Sequence, residues 1–137
     1  MRFNTKVRYG LRVMIDIALN QGKGQGVFQK DISFRQDISF KYLDSIINSL
    51  KVAGLIKKAG PRKGYILSRS INEISLMDIE KAFNTPVEIQ ECLSNPDICK
   101  MHGICKARKV WSSLNDRIMR FLNDVKLSDI LEENLPE

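Results

Sequence analysis

The chain has 137 residues, enough for one domain with a small appendage, since single cores fall at roughly 100–200 residues. Its composition, 43% apolar and 28% charged, excludes wholesale disorder, and no uninterrupted apolar run nears the roughly 20 residues of a membrane span, so a cytoplasmic protein is expected. The net charge of +6 is uneven: residues 1–70 hold 14 lysines and arginines against 4 aspartates, a balance of +10, and residues 71–137 hold 8 against 12 acids, a balance of −4, as expected of a phosphate-facing half joined to an acidic one.

The first periodic segment is Val7, Leu11, Met14, Ile17 and Ala18, one face of a helix running from about Thr5 to Asn20. Gly22-Lys23-Gly24-Gln25-Gly26 ends it; the spacing is not that of a phosphate-binding loop and no strand precedes it, so it reads as a turn. A short helix is expected from Phe28 to Arg35, followed by a turn at Gln36-Asp37-Ile38-Ser39. Ser39 is a suitable N-cap for a third helix, whose Leu43, Ile46, Ile47 and Leu50 fall at i, i+3, i+4 and i+7, leaving Lys41, Ser45 and Asn48 on the opposite face. Two helices joined by a tight turn, the second with a polar outer face, are the organisation of helix-turn-helix DNA readers.

Gly54 closes the third helix, and Leu55-Ile56-Lys57-Lys58 reads as a basic strand. The turn Gly60-Pro61-Arg62-Lys63-Gly64 leads into a second strand, Tyr65-Ile66-Leu67. A basic-tipped hairpin after a recognition helix is a wing, with Arg62 and Lys63 placed to reach phosphates or a minor groove. A fourth helix is expected from Ser75 to Asn84, with Ser75 as N-cap, Asp78 completing a capping box, and Thr85-Pro86 as the stop.

The three cysteines, Cys92, Cys99 and Cys105, lie in a loop spanning roughly 90–105. An odd count in a short chain argues for reduced thiols rather than a disulfide framework. Soft thiolates favour zinc or iron-sulfur chemistry, and a spacing wider than the tight pairs of zinc sites ranks an iron-sulfur cluster first, zinc second and unliganded thiols third. Three thiolates leave a fourth position, for which His102 is the nearest candidate.

A long helix from about Lys106 to Val125 places Trp111, Leu114, Ile118, Phe121 and Val125 at alternating spacings of three and four, a two-heptad seam suited to dimerisation as well as to packing within the chain. No nucleotide or flavin motif, no paired-carboxylate site and no triad beyond the single His102 points to an enzyme. The expected fold is mainly α with a small β wing: a winged helix-turn-helix over residues 1–84, a cysteine-bearing cluster loop over 85–105, and a dimerisation helix and tail over 106–137.

The segments Val7–Arg12, Asp37–Leu43 and Leu50–Leu55, the pairs Gly60-Pro61 and Gly64-Tyr65, and the stretch Arg117–Leu127 resemble, in order, the IscR/NsrR/CymR family of bacterial winged helix-turn-helix transcriptional regulators. Within it, the cysteine triplet and Phe121-Leu122-Asn123 are most similar to the iron-sulfur-sensing IscR type. The resemblance implies a homodimer crossing its long helices on palindromic double-stranded operator DNA. It further implies DNA contacts from Ser39, Lys41, Tyr42 and Arg62, joined by Ser45, Asn48 and Lys63 from the face and wing read above. It implies a [2Fe-2S] or [4Fe-4S] cluster on Cys92, Cys99 and Cys105, iron-sulfur assembly proteins as cluster donors, control of cluster assembly genes, and operator preference that changes with cluster loading. A nitric oxide or redox-sensing repressor of the NsrR type is the alternative, and a zinc-stabilised module without sensing a third.

The chain departs from the family pattern at several positions. Arg108 stands where one IscR type carries a histidine three residues after the third cysteine, and Arg8 where NsrR types carry an acid, leaving the fourth ligand open among His102, Glu91, Asp97 and an exogenous group. Arg62 and Lys63 replace wing glycines, and Ala59 replaces an arginine. Asp37 occupies a turn-glycine position, which Asp tolerates in a left-handed conformation.

Overall fold

The computed structural model describes residues 4–22, 24–83, 89, 90, 93 and 95–136. Among the described residues, six α-helices, α1 (Thr5–Asn20), α2 (Gln29–Gln36), α3 (Phe40–Val52), α4 (Leu76–Lys81), α5 (Lys106–Asp124) and α6 (Leu127–Leu131), accompany a two-stranded antiparallel sheet, β1 (Ile56–Lys58) and β2 (Tyr65–Leu67), that packs beside α1 and α3. Single 3-10 turns stand at Ile71–Glu73 and Pro96–Ile98.

The core gathers Val13, Met14 and Ile17 of α1, Ile32 of α2, Leu43, Ile46, Ile47 and Leu50 of α3, Leu55, and Ile56 at the start of the wing. Full burial of each large aliphatic side chain contributes about 1.5–3 kcal/mol, so the faces of α1 and α3 fix the three-helix unit. The apolar face of α3 is the one the spacing predicts; on α1, Leu11 and Ala18 are only half-buried and Val13 takes the central place.

Local caps set the helix ends. Ser39 accepts a hydrogen bond from the Tyr42 amide at 3.2 Å, as its N-cap position predicts. Phe28 is the N-cap of α2 rather than its first residue, and the helix continues through Gln36. Asp37 closes α2 in the left-handed region (φ 53°, ψ 49°), and the Ser33 hydroxyl bonds the Ile38 carbonyl at 2.5 Å. Asp37, Ile38 and Ser39 thus turn the chain from α2 into α3.

The wing register pairs Ile56 with Leu67 and Lys58 with Tyr65. Its tip is a turn in which the Lys63 amide bonds the Gly60 carbonyl at 3.1 Å; with Pro61 second and Arg62 third at φ 59°, the pattern is that of a type II turn. Val27, which no local pattern marks as strand, pairs with Tyr65 on the free edge of β2 through two backbone hydrogen bonds of 2.8 Å. The glycines permit this crossing: a Cβ on Gly64 would lie 2.4 Å from the Val27 carbonyl carbon, and one on Gly26 2.6 Å from that of Gly64.

The predicted capping box is formed at α4: the Asp78 amide donates to Ser75 Oγ at 3.1 Å, and the Ser75 amide to Asp78 Oδ2 at 2.9 Å. The helix ends at Lys81 instead of reaching Asn84, because Ala82 and Phe83 leave it in a turn; Asn84, Thr85 and Pro86 lie outside the described residues. α5 stops at Asp124, with Val125 as its extended C-cap. The chain then returns to α4, where Leu76 bonds Val125 at 3.0 Å and Leu127 bonds Ile74 at 2.8 Å. That return buries Val125 within the chain, removing it from the seam, while Trp111, Leu114 and Phe121 remain about two-fifths exposed.

Candidate nucleic-acid interface and cysteine loop

Helix α3 presents Lys41, Ser45 and Asn48 to solvent at spacings of four and three, opposite its buried face. Ser39 is exposed but its hydroxyl is engaged in the cap, and the Ser45 hydroxyl donates to the Tyr42 carbonyl at 3.0 Å. Both have the second lone pair or rotor freedom to meet a further partner. Asp44, the one acid of α3, accepts from Gln29 Nε2 at 2.5 Å, and the same amide nitrogen reaches the Phe40 carbonyl at 3.2 Å. This clamp ties the start of α2 to the start of α3.

Tyr42 leans away from the outward face. Its ring meets Tyr9 of α1 edge-on at 5.8 Å, and the Arg12 guanidinium lies 5.1 Å from the Tyr9 ring centre. Arg12 also bonds the Gln36 side chain at 3.1 Å and the Gln36 carbonyl. Gln36 Nε2 in turn donates to Asp16 at 2.9 Å, where Arg35 forms a two-bonded fork at 2.8 and 3.0 Å. Asp16 is buried, and its hydrogen bonds hold the Arg35 guanidinium above its ordinary pKa, against the opposing cost of burial. A polar chain therefore fixes α2 and the flank of α3 on α1. The signal for it in the sequence is an acid on the buried side of α1 among Val13, Met14 and Ile17, which hydrophobic periodicity alone passes over.

At the wing, Arg62 is exposed at the tip and Lys63 is half-buried, its aliphatic stem lying against Gly60. Arg62 holds the left-handed conformation that the glycine-like turn position demands, at a cost of roughly 1–2 kcal/mol for a residue with a Cβ. Lys58 of the basic strand and Lys51 of α3 gather at Tyr65: Lys58 Nζ lies 5.0 Å and Lys51 Nζ 5.8 Å from its ring centre. Lys58 Nζ also donates to the Lys63 carbonyl at 3.1 Å, linking the tip to the strand.

The cysteine loop enters α5 directly. Cys99 follows the Pro96–Ile98 turn and is exposed; Cys105 is the N-cap of α5, half-buried, and makes no side-chain capping bond. Between them the His102 amide bonds the Cys99 carbonyl at 3.2 Å, and the Ile104 amide that of Met101 at 3.0 Å. Both thiols are free, and His102 is half-buried on the same turns. Cys92 and Glu91 lie outside the described residues, and among the described residues no three His, Cys, Asp or Glu side chains form a metal-binding group. The donor chemistry of Cys99 and Cys105, two accessible thiols unspent on a disulfide, fits a soft metal centre, and a helix N-terminus beside Cys105 favours negative charge.

Against known proteins, the model of the Rrf2 family, iron-dependent transcriptional regulators, matches residues 3–133. The chain belongs to the Rrf2 family. It is 35% identical over 132 residues to the HTH-type transcriptional regulator IscR of Pectobacterium carotovorum, covering 96% of this chain and 79% of that protein. It is 34% identical over 134 residues to the protein rrf2 of Nitratidesulfovibrio vulgaris, covering 97% and 89%. Among solved structures it resembles CymR, the global cysteine regulator of B. subtilis, with a TM-score of 0.80 and 28% identity over 97% of this chain and 98% of that one. The IscR of T. potens superposes with a TM-score of 0.75 and 29% identity, over 97% and 88%. The Rrf2-family chain is thus a DNA-binding, winged-helix transcriptional regulator and not an enzyme. No helix among its described residues is long and apolar enough to cross a membrane.

Proposed function

We propose that this regulator binds double-stranded operator DNA as a homodimer and reads iron-sulfur cluster status, through a cluster on Cys92, Cys99 and Cys105, to control cluster assembly genes. The observation that carries this reading is the position of Cys105. It caps α5, so whatever the thiols hold is joined without a linker to the helix that bears the exposed Trp111, Leu114 and Phe121. Ile98, Met101 and Ile104 of the loop are likewise exposed apolar side chains awaiting a cover. Residues 1–84 supply the DNA face, 85–105 the ligands and 106–137 the contact between subunits. Lys41, Ser45 and Asn48 enter the major groove with Ser39 and Tyr42 at its edge, while Arg62 and Lys63 reach the phosphates or the minor groove. A cluster would supply a redox-sensitive, oxygen- and nitric oxide-labile anionic centre; the chain supplies three thiolates, with His102, Asp97, Glu91 or an exogenous ligand completing the set. Assembly proteins would act as cluster donors.

The test is anaerobic purification or reconstitution, with iron and sulfide analysis, a visible spectrum and operator titration of apo and loaded protein, on the wild type and Cys99→Ala. Bound iron and sulfide with a charge-transfer band that Cys99→Ala abolishes, and an operator affinity that differs between the two forms, are expected. Zinc alone, no metal, or identical affinities would refute cluster sensing while leaving DNA binding standing. The likeness to CymR and the two free thiols favour one second reading, metal-free thiol redox sensing. In that case reversible oxidation of metal-free protein would change operator affinity.

A further inference from the structure

Residues 71–137 carry an excess of acid, yet the cysteine loop and the start of α5 reverse it. Lys100, Lys106, Arg108 and Lys109, half of the 8 cations in that part of the chain, fall within residues 100–109, and no acid stands between Asp97 and Asp116. Like charges crowded around two cysteines favour an anion held among them.

The first turns of α5 have one covered face. Cys105, Arg108, Ser112 and Asn115 are half-buried at spacings of three, four and three, while Lys106, Lys109, Trp111 and Leu114 are exposed. Asn115 Oδ1 accepts the Ile89 amide at 3.2 Å, so Ile89 lies over that face. Arg108 is therefore on the covered side with Cys105 and not among the solvated cations. Long side chains on a helix lean toward its N-terminus, over the residue three or four positions earlier, and for Arg108 the residue three earlier is Cys105. The Nε of Arg108 is buried and has no hydrogen-bond partner, and its guanidinium makes no ion pair, among the described residues. A buried N–H without an acceptor is costly, and a thiolate or sulfide beside Cys105 is an acceptor that would satisfy it.

We propose that Arg108 is a hydrogen-bond donor and counter-charge to an iron-sulfur cluster on Cys92, Cys99 and Cys105, and that it sets the reduction potential of that cluster. This rests on the cluster reading above and adds a residue that touches the group without ligating it. A guanidinium has no lone pair to offer iron, but its N–H draws negative charge from a sulfur it bonds. Reduction adds one electron, and so one negative charge, to the group held there. A fixed cation and donor at its edge therefore stabilise the reduced form more than the oxidised form and raise the potential. Lys109, the next residue, carries the same charge into solvent, where water and salt screen it.

The test is a dithionite titration with redox mediators, following the visible charge-transfer band of anaerobically reconstituted wild type, Arg108→Gln, Arg108→Lys and Lys109→Gln. Arg108→Gln should shift the reduction equilibrium at least about tenfold toward the oxidised form, a fall of about 59 mV for one electron. Arg108→Lys keeps the charge but loses the planar fork and should show a smaller fall, and Lys109→Gln should stay within about twofold of wild type. Metal-free Arg108→Gln should melt no lower than metal-free wild type, because the buried Nε has no partner to lose. Reconstituted wild type without iron and sulfide would overturn the cluster reading and this one together. An unchanged potential in Arg108→Gln, an equal fall in Lys109→Gln, or a lower melting temperature of metal-free Arg108→Gln would overturn the role of Arg108 alone. Should Arg108→Gln not retain a cluster, Arg108→Lys decides, and no fall in its potential would overturn the proposal.

Discussion

Gly64→Ala is the substitution for which the structure sets the magnitude most directly. The added Cβ would sit 2.4 Å from the Val27 carbonyl carbon and 2.5 Å from its amide nitrogen and oxygen. All three are backbone atoms, so no rotamer change relieves the clash, and the Val27 strand must separate from Tyr65. That separation breaks the two Val27–Tyr65 hydrogen bonds and strains the one from the Gly64 amide to the Gln25 carbonyl, each 2.8 Å long. At a net worth near 1 kcal/mol per bond, the loss is about 2–3 kcal/mol. For a chain of this length that is a fall in melting temperature of roughly 7–10 °C. Urea titration followed by far-UV circular dichroism measures it, with Gly103→Ala, whose Cβ meets nothing within 4 Å, as the control expected near zero. Operator affinity should fall as well, because the same pair anchors the wing to the segment that starts α2. A Gly64→Ala protein within 0.5 kcal/mol of wild type, given as a resolution limit of about that size, would refute the claim that the close crossing of backbones holds the wing.

Three other substitutions probe the remaining interactions. Arg62→Gly removes a Cβ from a left-handed position (φ 59°) and should stabilise the fold by roughly 0.5–1 kcal/mol, while lowering the salt slope of operator binding by about one per subunit; an unchanged slope would remove Arg62 from the phosphate contacts. Asp16→Ala strands Arg35 and Gln36, and should cost about 2 kcal/mol by chemical denaturation; the figure is at the low end for a broken ion pair because the Arg35 side chain is 38% exposed and water can replace the carboxylate. The pH dependence of stability tests Glu80. Burial raises its pKa and neighbouring Lys81 lowers it less, so the folded chain holds the proton to a higher pH than the unfolded chain does. Arg8 and Arg117 line a groove between α1, α4 and α5 together with Glu80, and stability is full below the ordinary glutamate range and declines as pH rises through the raised value. Glu80→Gln should flatten that decline in thermal melts taken from acid to neutral pH; an unaltered profile would show that the carboxylate ionises without penalty.

Much of the architecture was legible because side-chain periodicity and chain-ending residues acted together. The buried stripe Leu43, Ile46, Ile47 and Leu50 follows from the spacing, and Ser39 and Ser75 form the caps that their positions predict. Asp37 has the left-handed conformation that its place in the turn called for. What escaped the sequence depends on contacts between distant segments. The strand-like pairing of Val27 is decided by Gly64, and the burial of Asp16 by Arg35 and Gln36. Val125 was assigned to the seam by spacing, but the return of the chain to α4 buries it. On α4 the apolar pattern of Ile79, Ala82 and Phe83 hid the fact that Glu80 is also enclosed, because α1 and α5 cover that flank as well.

The position of α1 bears on how a signal at the thiols could reach DNA. One flank, through Tyr9, Arg12 and Asp16, is bonded or stacked to α2 and α3; the other, through Val7 and Leu11, walls the groove beside α5. A single helix therefore touches the recognition element and borders α5, the proposed subunit contact, and a packed helix moves as a body instead of deforming locally. Loading of the cysteine loop would bias the setting of α3 only if the ligand-loaded and ligand-free loops place the start of α5 differently, since an effector shifts an equilibrium by its differential interaction with the two states and by nothing else. Coupling of that origin requires the Asp16 network to remain intact. Asp16→Ala should then reduce the difference in operator affinity between the two forms by more than it reduces the affinity of either, whereas an equal loss in both would mean that the signal bypasses α1.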